Sequence, residues 1–128
     1  MAIEQHLWKD GNKVANASMS GKQYYAVVVN SSRKWALAGA GARTVGILQN
    51  EPAADEACEV VRLGLSKAVL GGTVTCGDPV AVDSAGKIVK ALDNDYQVGQ
   101  CEESGVANEI VTIALTGGMG LTEGTSPA

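Results

Sequence analysis

The sequence is short of residues on which many folds and sites depend. Its 128 residues include no phenylalanine, one histidine and three cysteines. Val, Ile, Leu and Ala must therefore supply most of the core. One histidine, and cysteines without a CxxC pair, exclude the common zinc motifs. An odd number of widely spaced cysteines favours free thiols over disulfides, which suits a protein assembled in a reducing cytosol.

Long apolar runs are also missing. No run approaches the roughly 20 residues that a bilayer-spanning helix needs. The first ten residues, MAIEQHLWKD, lack the charged-then-apolar layout of a signal peptide. We therefore expect a protein that is made in the cytoplasm, has no membrane partner and forms a single domain.

Signatures of catalysis are absent as well. The glycine-rich run ALAGAGARTVG, residues 36–46, has neither the G-x-G-x-x-G spacing of a dinucleotide fingerprint nor the Gly-Lys-Ser/Thr ending of a P-loop. A Ser or Cys nucleophile would depend on the one histidine, which lies in a polar N-terminal segment. The acidic pairs Asp93 with Asp95 and Glu102 with Glu103 are more typical of solvated turns than of metal sites. We expect no enzyme, no metal ion and no cofactor.

Charge is distributed unevenly along the chain. Residues 1–43 contain six basic and two acidic side chains, a net charge of +4, whereas residues 44–128 contain four basic and twelve acidic ones, a net charge of −8. A basic segment ahead of an acidic body suits contact with an acidic protein surface or nucleic acid, and a solvated charged face explains it equally well. The acidic body argues against a dedicated nucleic-acid-binding protein.

The pattern of short apolar runs separated by turn residues predicts an all-β fold, a small β-barrel-like or β-sandwich-like domain. Residues 1–22 show no sustained period and are predicted to form an extended N-terminal arm. Residues 23–116 form the β-rich domain. Residues 117–128, GGMGLTEGTSPA, are predicted to be a flexible C-terminal tail.

Two local patterns bear on this fold. In VAVDSAGKIVKA, residues 80–91, an Asp opens and a Gly closes a short turn between alternating apolar residues, which predicts a β-hairpin. Residues 52–70 are instead rich in helix formers. An internal echo favours strands there, because residues 44–64 align at a constant offset with residues 97–117, whose second half is β-branched. A short helical turn near residues 53–57 stays open.

Aromatic residues concentrate near the N-terminus. Trp8 lies in a polar segment that cannot bury it, so it is a candidate anchor for a partner. The alternative, that Trp8 folds back onto its own barrel, stays open. Neighbouring Leu7, Lys9 and Lys13 complete this candidate partner-binding set.

Five segments, taken in order, resemble the small capsid decoration, or cement, proteins of tailed bacteriophages. The resemblance covers about residues 44–115 and leaves the N-terminal segment unmatched. The chain departs from the family pattern at Asp55, where Gly is expected, and at Gln100 and Cys101, where a basic residue and Ala are commoner. The segments are GILQNEP (46–52), LGLSKAVLGG (63–72), CGDPVAVDSAGKIVKA (76–91), VGQCEES (98–104) and NEIVTIAL (108–115).

The resemblance implies a structural virion protein that binds the major capsid protein on the outer surface of the head and stabilises the expanded shell. The arm, with Leu7, Trp8, Lys9 and Lys13, is then expected to contact the capsid by adding a strand to it. A homo-oligomer is expected, a trimer first, with a dimer or monomer left open. The main alternative is a virion-displayed host- or carbohydrate-binding module, which the scarcity of aromatics after residue 44 disfavours.

Overall fold

The computed structural model of the protein describes residues 2–40, 46–92 and 95–121, and this part consists of strands and turns. The all-β prediction is confirmed. None of the described segments is a helix long and apolar enough to cross a membrane. The described strands are β1 (Gln5–Asp10), β2 (Ala26–Val29), β3 (Trp35–Leu37), β4 (Gly46–Leu48), β5 (Val60–Val69), β6 (Pro79–Val82), β7 (Ile88–Lys90), β8 (Tyr96–Cys101) and β9 (Ile110–Leu121).

These strands form one curled, barrel-like sheet. Its order is β3-β2-β4-β5-β9-β8-β6-β7, with β1 added along β5, and neighbouring strands are antiparallel. The sheet curls far enough for the outermost strand, β7, to meet the end of β5. Leu70 forms a parallel bridge with Ile88, and the Gly71 N–H donates to the Ile88 carbonyl oxygen at 2.8 Å. This bridge and this hydrogen bond connect the outermost strand to the end of β5, so the sheet curls into a half-barrel there.

The predicted hairpin at residues 80–91 is confirmed. Strands β6 and β7 pair in register from Val80 with Lys90 to Val82 with Ile88. The Asp83 carboxylate accepts hydrogen bonds from the backbone N–H groups of Ala85 at 2.8 Å and Lys87 at 2.9 Å. Gly86 takes a φ of 83°, which glycine adopts without steric cost. Turn chemistry written into the sequence thus sets this hairpin.

Residues 52–70 form a turn and a strand rather than a helix. A single turn closes where the Glu56 N–H donates to the Ala53 carbonyl oxygen at 3.0 Å. The following residues enter β5, which pairs with three other strands. Pairing with neighbouring strands overrides the local helix propensity of this segment.

The internal echo is confirmed and extends over most of the described chain. Gly46 and Gly99 are 99 − 46 = 53 residues apart, and the same offset carries β2 onto β6 and β3 onto β7. The same offset also relates two hydrogen bonds between backbone groups of different segments. The Gln49 N–H donates to the Glu59 carbonyl oxygen at 2.7 Å, and the Glu102 N–H donates to the Thr112 carbonyl oxygen at 3.0 Å.

We call residues 5–59 the first unit and residues 60–112 the second unit. Before residue 20 the offset is 55, since the bridge between Ala15 and Trp35 corresponds to that between Leu70 and Ile88. Strands β1, β5 and β9 are therefore three successive copies of the same strand. Because β5 ends the first half-barrel and begins the second, the two units share one sheet.

The hydrophobic core repeats in the same way. All seven buried residues of one core cluster have repeat equivalents in the other cluster, although six of the seven pairs differ in residue type. Trp35, for example, corresponds to Ile88, and is the aromatic exception in an otherwise aliphatic core. The first cluster contains Ala15, Met19, Val27, Trp35, Leu48, Cys58 and Val60, and their equivalents are Leu70, Val74, Val80, Ile88, Cys101, Val111 and Ile113.

The N-terminal segment is extended but attached to the domain. Strand β1 pairs with β5, and the Ile3 N–H donates to Thr112 Oγ1 at 2.6 Å. Ala15 and Met19 are buried in the core of the first unit. At the other end, β9 continues to Leu121, so the described part of the predicted tail begins as strand. Residues 122–128 lie outside the described residues.

Equivalent glutamate side chains stabilise the turn before β5 in the first unit and the turn before β9 in the second unit. Glu56 accepts a hydrogen bond from the Ala53 N–H, and Glu109 accepts one from the Val106 N–H, both at 2.8 Å. Within these turns Asp55 has a φ of 64° and Asn108 a φ of 71°. Both residues therefore adopt the left-handed conformation that glycine adopts most readily.

Glu56→Ala and Glu109→Ala should each lower the free energy of unfolding by about 1 kcal/mol, because each removes one hydrogen bond to a turn N–H. Equilibrium urea unfolding measures both values. Glu102→Ala is the control for loss of an exposed carboxylate, because within the described residues the Glu102 side chain makes no hydrogen bond or ion pair. Costs that differ strongly between Glu56 and Glu109 would contradict equivalent turns.

Candidate partner-binding surface

Exposed apolar side chains gather around β1. Leu7 is 71% exposed, Ile3 58%, Trp8 50% and Leu63, on the neighbouring β5, 37%. Leu7 and Leu63 line the same cavity, and exposed apolar surface of this kind is typical of a protein contact. The exposure expected for Leu7 and Trp8 from their polar setting is therefore present, although β1 is paired.

A shallow cavity lies beside this strand. Its volume is about 310 Å³, and β1, β5 and β9 all contribute to its walls. The lining is mostly apolar and has room for one or two side chains of a partner. The lining residues are Gln5, Leu7, Leu63, Gly64, Leu65, Ala114 and Leu115.

Gly64 allows β1 to lie this close to β5. Its φ of 107° is in a region that other residues rarely adopt. A Cβ atom at this position would meet the Gln5 carbonyl oxygen and would lie 2.8 Å from the Leu7 backbone nitrogen. Absence of a side chain at Gly64 is therefore a condition for β1 pairing.

Trp8 packs on Arg62, which belongs to a cluster of charged side chains. The Arg62 guanidinium carbon lies 4.2 Å from the centroid of the Trp8 ring, a distance at which a cation and an aromatic face attract each other. Arg62 also donates to Asp10 Oδ2 at 2.9 Å, and Lys13 Nζ lies 3.0 Å from the same oxygen. Burial opposes ionisation of Asp10, but hydrogen bonds from Lys13, the Asn12 N–H and Arg62 outweigh it and lower the Asp10 pKa.

The two predicted basic contact residues already have partners within the chain. Lys9 Nζ lies 2.6 Å from Glu59 Oε1. Lys13 is largely buried, is paired with Asp10 and lies over the Trp35 ring at 5.4 Å. Leu7 and Trp8 are therefore the members of the predicted set whose apolar side chains face solvent.

The sequence does not indicate the part of this surface that other strands supply. Leu63, Leu65, Ala114 and Leu115 come next to β1 only through strand pairing. Arg62 was visible as a basic residue, but its stacking on Trp8 depends on the register between β1 and β5. A glycine inside an apolar run, Gly64, was the one local signal of a close backbone approach.

Two members of the acidic pairs considered for chemistry accept hydrogen bonds from backbone N–H groups. Glu103 Oε1 accepts from the Thr112 N–H at 2.8 Å, and Asp95 Oδ2 accepts from the Leu92 N–H at 2.9 Å. Asp93 lies outside the described residues. Within the described ranges, no three or more His, Cys, Asp or Glu side chains come together as a metal site would require.

Asp10→Asn should lower the free energy of unfolding by about 3 kcal/mol at neutral pH, because Arg62 and Lys13 lose the buried carboxylate that they share. The wild-type Asp10 pKa lies below its ordinary value of 3.8, so this stabilisation is present above about pH 4 and is lost as the pH falls through the folded-state pKa. Urea unfolding at pH 7 and pH 3 should show the gap between the two proteins narrowing in acid. A gap of constant size would contradict an ionic role for Asp10.

The chain is similar to a known protein in fold and not in sequence. No protein-family model matches the sequence, and no curated protein matches it. Among solved structures the chain is similar to the head fiber gp8.5 N base in bacteriophage phi29, with a TM-score of 0.69 and 13% sequence identity. The match covers 88% of this chain and 96% of that chain. The chain therefore shares its all-β fold with the base of a phage head fiber.

Proposed function

We propose that this protein is a structural protein of a bacteriophage virion, attached to the outer surface of the head as a decoration or cement protein. The observation that carries the proposal is a fold similarity to a head fiber base over nearly the full length of both chains. The order of motifs over residues 44–115, which resembles capsid decoration proteins, supports the same role. The role is non-catalytic, and its partner is the major capsid protein.

The surface around β1 suits attachment to a shell. An apolar side chain that fills a partner's pocket, or a pocket that receives one, provides much of the energy of a protein contact. Leu7 and the adjacent cavity offer both on one face of the sheet. Because a shell repeats the same site many times, even a small contact adds up when bound chains bridge neighbouring subunits.

Co-sedimentation of the purified protein with expanded, undecorated heads of the cognate phage tests this function, and immature shells are the comparison. We expect saturable binding to expanded heads. Leu7→Ser should weaken this binding about tenfold, the loss expected for one buried apolar contact. Leu92→Ser is the matched control, because Leu92 is similarly exposed, at 68%, but follows β7 on the second unit.

The outcomes separate the function from the surface. Absence of wild-type binding to either shell would contradict the proposed function. Wild-type binding that Leu7→Ser and Leu92→Ser leave equally strong would keep the function and reject the β1 surface. Glycan-array binding by a protein that ignores both shells would instead support a displayed receptor-binding module.

A further inference from the structure

The three equivalent strands pair with one another about a common position. Trp8, Leu63 and Thr116 are repeat equivalents, since 8 + 55 = 63 and 63 + 53 = 116. Trp8 is the Cα partner of Leu63 in the β1–β5 pair, and Leu63 is the partner of Thr116 in the β5–β9 pair. Each antiparallel contact between equivalent strands therefore contains a pair of equivalent residues.

The β1–β5 contact is a local two-fold axis in detail. Its remaining partners are Gln5 with Leu65, His6 with Gly64, Lys9 with Val61 and Asp10 with Val60. If each residue is replaced by its repeat equivalent, the pair Gln5–Leu65 becomes the pair Asp10–Val60. In the same way, the pair His6–Gly64 becomes the pair Lys9–Val61. The ladder skips one residue on each strand, Leu7 and Arg62, and these are equivalent too, since 7 + 55 = 62. Even the two bulges obey the symmetry.

One edge of β1 has no strand beside it in the described part of the chain. On β5, Val61 pairs with both Ile47 and Lys9, and Leu63 pairs with both Trp8 and Thr116, so strands lie along both edges. The pairings described for β1 involve β5 alone. An open edge with exposed apolar side chains favours pairing with another strand.

We propose that two copies of the chain associate through this edge, with β1 of one copy antiparallel to β1 of the other and Trp8 facing Trp8 of the second copy across a two-fold axis. The choice of a second copy as the partner follows from how the equivalent strands pair within the chain. In both pairs, β1 with β5 and β5 with β9, the equivalent residues Trp8, Leu63 and Thr116 lie opposite one another. Applied between two β1 strands, this pairing gives a closed, self-complementary contact, the commonest form of homodimer. A two-fold pair, rather than the trimer expected from the resemblance, is what this geometry favours.

The pairing continues the interface that already joins the two units. In the dimer both Trp8 side chains would be buried against each other at the two-fold axis, and each would keep its contact with Arg62 of its own chain. Residues that face each other across an antiparallel pair have Cβ atoms about 5 Å apart, which suits two stacked aromatic rings. Leu7 and the cavity stay on the sheet face, available to a shell. The proposal concerns the free protein and stands whether or not the chain binds a phage head.

Symmetric cysteine cross-linking tests the axis. In a Cys76→Ser background, which removes the exposed native thiol, Trp8→Cys should give a covalent dimer on mild oxidation, because residues on the axis come within disulfide reach. Gln5→Cys is the matched control on the same strand. Its two copies would lie about 20 Å apart, six residues along paired strands, and should not cross-link.

Sedimentation equilibrium of the unmodified protein is the second measurement. We expect twice the chain mass of 13.1 kDa at micromolar concentration. A wild-type monomer would overturn the proposal even if Trp8→Cys loses stability. A wild-type dimer in which Trp8→Cys fails to cross-link, or in which Gln5→Cys cross-links equally well, would assign the dimer to another surface and also overturn it.

Discussion

Gly99→Ala should destabilise the protein by about 3 kcal/mol, near the upper end for an inserted methyl group. A Cβ atom on Gly99 would overlap the Ala114 carbonyl oxygen and lie 3.2 Å from the Leu115 Cα. Strand β8 cannot move aside, because Gly99 is paired with Val80 of β6 on its other edge. Equilibrium urea unfolding measures the loss.

The repeat supplies a second site for the same experiment. Gly46, the equivalent of Gly99, would place a Cβ atom 2.6 Å from the Val61 carbonyl oxygen, and Gly46→Ala should be damaging for the same reason. Gly39→Ala is the control, since no atom lies within 4 Å of a Cβ there. It should change the free energy of unfolding by less than about 0.5 kcal/mol. Equal effects at positions 39 and 99 would show that close strand approach is not the cause.

Gly64→Ala should release β1 from the sheet and lower the free energy of unfolding by about 3 kcal/mol. Of this, about 1–2 kcal/mol comes from holding a side chain at positive φ, and the rest comes from collision with the β1 backbone. Release of β1 should also make Lys9 and Lys13 accessible, so trypsin should cut the folded variant near its N-terminus much faster than the wild type. Timed proteolysis followed by mass spectrometry locates the cuts.

Gly77→Ala separates the two causes. Gly77 has a φ of 95°, but a Cβ atom there would meet nothing within 4 Å. This variant should therefore show the backbone strain alone, a loss of about 1 kcal/mol, with tryptic cutting as slow as in the wild type. If Gly64→Ala behaved in the same way as Gly77→Ala, the argument that Gly64 admits β1 would be wrong.

Local sequence patterns predicted those parts of the fold that depend on turn chemistry. The hairpin around Asp83 and Gly86 forms where the sequence indicated, and the short turn that the sequence left open near residues 53–57 is present. The full extent of the repeat was not visible, because a core position preserves burial and not residue type. Trp35 and Ile88 fill equivalent places, as do Cys58 and Val111, and no sequence alignment scores such pairs highly.

The candidate surface was also predictable from the sequence only in part. Exposure of Leu7 and Trp8 was predictable, because a polar segment offers them no local core. The internal ion pair of Lys13 with Asp10 was not, since it forms only where β1 turns into the first unit beside Arg62. The cavity likewise depends on three strands that are far apart in sequence.

The sequence by itself determined the all-β class and the position of its turns, because β-branched runs, Asx and Gly turns and alternating apolar residues act over a few neighbours. Only the tertiary structure decided that residues 5–10 join the sheet, that β1, β5 and β9 are equivalent, and that like strands pair about Trp8, Leu63 and Thr116. The physical reason is that β1 is held by backbone hydrogen bonds, by the glycine opposite it, and by side-chain contacts with Arg62 and Glu59, which lie on or beside β5. Nearly every residue carries the same backbone groups, and the side-chain partners of β1 lie far along the chain, so the local sequence does not indicate that this strand joins the sheet.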